Sequence, residues 1–126
     1  IYKGALGEVV GEFILENFLN VELQEVSEEV FEFFDFKIGD DIYVDFKYWK
    51  DTMVVDAKKA KEKIIQKLNA CKGKRAVIIN ILHDREMQIT TSYDRRIVEI
   101  PYLYRTDLNQ LDSRTIDEIL REGYLR

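Results

Sequence analysis

The sequence predicts an α/β domain, a mixed central β-sheet flanked by helices. Three observations lead there. Two segments, Gly4 to Leu19 and Asp56 to Cys71, carry apolar residues at helical spacing. Between them "FFDFKIGDDIYVDFKYW", Phe33 to Trp49, alternates in the manner of a β-hairpin. After the second helix, "RAVIINIL" is a short β-branched run suited to a strand buried on both faces.

The first helix sets Leu6, Val9, Val10, Phe13 and Ile14 at i, i+3, i+4, i+7 and i+8, one apolar stripe expected to face the core. Val21 to Val26 alternates weakly and reads as a short strand. Asp56 is the expected N-cap of the second helix, with Ala57, Ala60, Ile64, Ile65 and Leu68 facing inward and an end near Cys71-Lys72-Gly73. "MQITTSY" and "RIVEIPYLY" read as further strands, with "SYDRR" as the turn between them. Ser113 and Thr115 open a last short helix containing Ile116, Ile119 and Leu120.

Length and composition bound the function. A chain of 126 residues, 46% hydrophobic and 34% charged, is expected to form one domain, 1–126, with its own core. It begins at Ile1 rather than Met, so we expect a domain excised from a longer protein. Cys71 is the single cysteine, which rules out an internal disulfide and suits a reducing, cytoplasmic setting. His83 is the single histidine, expected in a surface loop, so any mechanism using two histidines is excluded. No apolar run reaches membrane-spanning length.

The net charge of -5 argues against a nucleic-acid binder, but its distribution does not. Lys58, Lys59, Lys61, Lys63, Lys67, Lys72, Lys74 and Arg75 are concentrated in one segment, while much of the acid lies in Glu8 to Glu32 and in the hairpin.

The hairpin holds the most informative pattern. Phe34, Phe36 and Ile38 share one face of the first strand, and Asp35 and Lys37 the other. In the second strand Ile42, Val44 and Phe46 oppose Tyr43, Asp45, Lys47 and Trp49. Keeping the apolar sets together requires Ile38 to pair with Ile42 across a three-residue loop, Gly39-Asp40-Asp41, or a longer bulged loop of the same parity. Asp35 then neighbours Asp45, with Lys47 one step along. Opposed like charges destabilise a sheet. A retained proton, neutralisation by Lys37 and Lys47, or a bound divalent cation would each relieve them, and a solvated face with cross-strand ion pairs is the purely structural alternative.

Asp35 followed by Asp45-Phe46-Lys47 resembles the PD-(D/E)XK nuclease superfamily, whose triplet lies on the second strand of a hairpin with a helix and a buried strand next. The likeness runs from about Lys3 to Leu82 and implies a restriction-endonuclease-like core of order α-β-β-β-α-β. The family's leading proline is absent; Phe34 precedes Asp35. "KGALGEVVGEFILENF" resembles the opening helix of resolvase-like members, where a glycine-flanked glutamate joins the metal site; Glu8 fits that pattern. The helical phase of the Leu6/Val9/Phe13 stripe sends Glu8 away from the core, which makes Glu12 the alternative.

The resemblance implies Mg²⁺ or Mn²⁺ held by Glu8, Asp35, Asp45 and the Phe46 carbonyl, with Lys47 beside the attacking water. It implies DNA as substrate and admits a homodimer and a covalently linked helicase or other domain; the basic arc of the second helix, Lys58, Lys59 and Lys61 with Gln66 near the site, is either the contact to the phosphate backbone or a solvated helix face. Tyr48, Trp49, Tyr93, Arg95 and Arg96 could assist by stacking or phosphate contact, or could be packing and loop residues. The alternatives are a non-catalytic nucleic-acid- or protein-binding module of the same fold and a structural domain with a charged hairpin.

Overall fold

The structure, a computed structural model, describes residues 2–27, 30, 33–47, 58–83 and 86–126, with the backbone alone at 2–6. In chain order the elements are α1 (Tyr2–Phe18), β1 (Gln24–Glu25), β2 (Phe36–Ile38), β3 (Ile42–Lys47), α2 (Lys58–Ala70), β4 (Arg75–Asn80), β5 (Leu82–His83), β6 (Thr90–Ser92), β7 (Ile97–Ile100), β8 (Tyr104–Arg105), β9 (Gln110–Leu111) and α3 (Ser113–Glu122). A six-stranded sheet runs β1-β2-β3-β4-β7-β6, and β5-β8-β9 form a smaller one. The central β3, β4 and β7 are parallel; β1, β2 and β6 join antiparallel. The chain is thus α/β with a mixed sheet and three helices among the described residues.

Central parallel strands bury both faces, which is why "RAVIIN" and "IVEI" are nearly continuous apolar runs. On one face Val44, Phe46, Val77, Ile79, Val98 and Ile100 pack with Ile14 and Leu15 of α1 and Ile119 of α3. On the other, Tyr43 and Ala76 pack with Phe34 and with Leu68, Ile64 and Ile65 of α2. Strand alternation and register therefore set Asp45, Lys47, Ile78 and Glu99 on the α2 face.

The apolar stripe read for α1 is corrected. Val9 and Phe13 are 65% and 59% exposed, while the buried side of the helix carries Gly7, Gly11, Ile14 and Leu15. Two glycines one turn apart let the helix axis approach the sheet; a Cβ at Gly11 would lie 2.4 Å from the Phe46 ring. Close approach, not side-chain hydropathy, fixes the helix phase. Glu8 and Glu12 are both half-buried.

Asp56 and Ala57 lie outside the described residues, but the inward positions of α2 hold: Leu68 is buried, and Ala60, Ile64 and Ile65 partly so. The helix stops where expected. Gly73 N–H donates to Leu68 O at 2.8 Å and Lys72 N–H to Asn69 O at 3.0 Å, with Lys72 left-handed at φ 57°. This is the Schellman arrangement, which satisfies the last carbonyls. In α3 the N-cap is Asp112, whose Oδ2 accepts from Thr115 N–H and hydroxyl; Ile119 is buried and Leu120 is 48% exposed.

His83 is also corrected: it is 1% exposed in β5, not in a surface loop. The "SYDRR" turn has structural contacts. Arg96 donates to Asn69 Oδ1 and Gly73 O, and Arg95 pairs with Glu122 at 3.1 Å. Tyr48 and Trp49 lie outside the described residues.

Candidate functional site

The hairpin has the parity that the alternation requires. Ile38 pairs with Ile42, Lys37 with Tyr43 and Phe36 with Val44 across the loop Gly39-Asp40-Asp41. Gly39 takes φ 62°, a left-handed turn that its missing Cβ makes easy. Asp40 and Asp41 are exposed turn residues, and Asp41 O accepts from Lys74 N–H.

Asp35 stands one residue before β2, where the ladder breaks. Its N–H donates to Val44 O at 3.0 Å, and its Oδ2 accepts from Phe46 N–H at 2.8 Å. The side chain thus supplies the acceptor that a continued β2 would have offered. This holds the Asp35 carboxylate at the β2–β3 seam, near enough to Asp45 and to Glu8 of α1 for the three carboxyls to influence one another's protonation. N–H and C=O of one strand residue point to the same side, so the Phe46 carbonyl is directed along the same seam. Lys47 Nζ lies 2.9 Å from Asp45 Oδ2. The β2 entry and the end of β3 set Asp35 beside Asp45 and Lys47, and α1 brings Glu8 toward Asp35.

Burial raises the Asp35 carboxyl to about 6, with hydrogen bonding to Glu8 adding to the rise and the Phe46 N–H opposing it. Burial likewise raises Asp45 to about 6; Lys47 opposes the rise and Asp35 reinforces it. The two carboxyls are a coupled pair whose charged form is under-compensated near neutral pH.

A cavity of about 300 Å³ adjoins Asp35, lined by Glu8, Glu25, Val26, Asp35 and Phe36. A larger one, about 560 Å³, lies at the turn end of the hairpin, against Leu19, Ile38, Gly39 and Leu125, away from Asp35 and Asp45. The acidic cavity is the one that bears on the chemistry, because its walls carry the carboxylates.

Hard oxygen donors at Asp35 and Asp45 suit Mg²⁺ or Mn²⁺, and Mg²⁺ needs only one or two protein carboxylates besides water and phosphate. Among the described residues no three acidic, histidine or cysteine side chains converge as a ready chelate. The donor set that fits is therefore the Asp35–Asp45 pair, with Glu8 lining the same cavity as Asp35.

Lys58 and Lys59 are exposed on the first turn of α2. Lys61 is partly buried, with Nζ 3.6 Å from Glu99 Oε1. Gln66 is exposed, roughly 12 Å farther along the helix axis than Lys58. The sequence reading passed over two residues. Glu25 lines the acidic cavity, and nothing in "VELQEV" distinguishes it. Glu99 is 7% exposed on the Asp45 face, and a lone carboxylate in "RIVEIPYL" was the available signal.

A comparison with protein-family models found no match, and a search of curated proteins found none either. No described helix is long and apolar enough to cross a membrane.

Proposed function

We propose that this chain is a metal-dependent nuclease domain of the PD-(D/E)XK type, hydrolysing phosphodiester bonds of DNA, from the cytoplasmic compartment that a lone thiol suits. The observation that carries the reading is the hairpin register that sets Asp35, bonded to Phe46 N–H at 2.8 Å, beside Asp45, with Lys47 2.9 Å from Asp45 at the end of a central strand. Element order lends support: α1, antiparallel β1-β2-β3, α2, then β4 parallel to β3, the α-β-β-β-α-β sequence of a restriction-endonuclease-like core.

Asp35 and Asp45 would hold the cation, with Glu8 and the Phe46 carbonyl as the neighbouring oxygen donors. Bound there, Mg²⁺ or Mn²⁺ would supply a polarised phosphate and a water acidic enough to ionise near neutral pH. Lys47 offers an ammonium to the charge that develops on the phosphate oxygens, and its grip on Asp45 Oδ2 fixes that carboxylate's orientation. Phe46 N–H does the same for Asp35. Lys58, Lys59 and Lys61 would offer positive charge to the phosphate backbone, with the exposed Gln66 assisting from the same helix.

A non-catalytic binding module of the same fold is the second reading. It is favoured by the absence of a three-carboxylate chelate among the described residues and by the structural bond that occupies Asp35 Oδ2. Incubation of duplex DNA with Mg²⁺ separates the two. The nuclease cleaves, and Asp45→Ala and Lys47→Ala each abolish cleavage; the module binds DNA and leaves it intact in every variant.

A further inference from the structure

Glu99 is unusual among its neighbours. β7 reads Ile97, Val98, Glu99, Ile100, and all four are buried. A carboxylate in such a row costs several kcal/mol of desolvation unless something compensates it, and a well-packed apolar residue would commonly be as stable or more so. Its ion-pair partner is Lys61 of α2, at 3.6 Å, too long for a tight hydrogen bond. Burial accordingly holds the Glu99 carboxyl above its ordinary range, with Lys61 only partly opposing.

Register fixes where this pair stands. Asp45 pairs with Ile78 and Ile78 with Glu99, so Asp45 and Glu99 lie in one cross-strand row on one face. Two strand spacings separate them, roughly 9–10 Å between Cα atoms. Lys61 reaches this row from the first turn of α2, its side chain still 29% exposed. An ammonium has three donors, and one carboxylate oxygen at 3.6 Å cannot use them all.

Resting on the nuclease reading above, we propose that the Lys61–Glu99 pair is a second phosphate-recognition point on the Asp45 face. Glu99 is a positioning residue that holds the Lys61 ammonium toward the row. Lys61 binds the phosphate next to the one that Asp45 and Lys47 engage. Glu99 stands two strand spacings from Asp45, which places the anchored Lys61 for a neighbouring phosphate of the same strand. Lys58 and Lys59, exposed and with no buried carboxylate partner among the described residues, contribute diffuse attraction.

The test measures affinity for a duplex oligonucleotide as a function of salt, with thermal unfolding of each variant as a control. Lys61→Ala is expected to weaken binding about tenfold and to reduce the salt slope by about one. Glu99→Gln is expected to weaken binding several-fold while its folded fraction at the assay temperature stays that of the parent chain. An unchanged slope in Lys61→Ala, undiminished affinity in Glu99→Gln, or losses matched by unfolding would overturn the proposal. Cleavage by Asp45→Ala is scored separately. Activity lost there with Lys61 indifferent leaves the nuclease reading standing and removes only this one.

Discussion

Asp35 Oδ2 accepts the backbone N–H of Phe46 at 2.8 Å, so a candidate metal ligand also closes the ladder between β2 and β3. One carboxylate serves the fold and the site together, and the two services can be separated by substitution.

Asp35→Ala leaves the Phe46 N–H without its acceptor in a partly buried seam. An unsatisfied buried donor costs about 1–3 kcal/mol, and urea unfolding should register a loss in that range. Asp35→Asn keeps an acceptor oxygen and should lose less than half as much. Equal destabilisation by Ala and Asn would mean that the charge, not the hydrogen bond, supports the seam.

Stability should fall as pH rises through the titration of the Asp35–Asp45 pair. Both carboxyls are raised to about 6 in the folded state, so between their unfolded values near 3.8 and about 6 the folded chain binds more protons than the unfolded one. Unfolding free energy therefore decreases with pH across that window. The contribution is fully present below the unfolded values and lost above about 6. Thermal unfolding should give a higher midpoint near pH 5 than near pH 7.5 from this pair, about 1 kcal/mol after allowance for solvent screening. Asp45→Asn should flatten the difference and stabilise the chain near pH 7.5.

Gly11→Ala should destabilise α1 docking although alanine is the better helix former. The added Cβ would meet the buried Phe46 ring at 2.4 Å. Overpacking of this kind costs about 1–3 kcal/mol, more than the roughly 1 kcal/mol gained in helix propensity. A stabilised Gly11→Ala chain would show that α1 shifts freely on the sheet.

The hairpin was legible because a strand has period two. Once Phe36, Ile38, Ile42 and Val44 had to share a face, the register and the neighbourhood of Asp35 and Asp45 followed. The α1 phase was not legible in the same way. Hydropathy gives glycine no weight, yet Gly7 and Gly11 turn the helix and leave Val9 and Phe13 outside. Glu8 looked misplaced only because the wrong stripe was taken as the buried one. His83 and Glu99 depend on long-range pairing: β5 adds to β8, and Glu99 acquires its meaning from Lys61 across the α2–sheet interface. Neither relation leaves a local pattern in the chain.

The central claim, a cation held between Asp35 and Asp45 for phosphodiester cleavage, is tested most directly by Mg²⁺-dependent stabilisation and cleavage measured on one preparation near pH 7.5. Added Mg²⁺ should raise the unfolding midpoint and start DNA cleavage in the parent chain, and Asp45→Asn should lose both effects while remaining folded. A parent chain indifferent to Mg²⁺ in stability and inert toward DNA, or an Asp45→Asn chain that cleaves as the parent does, would contradict the account.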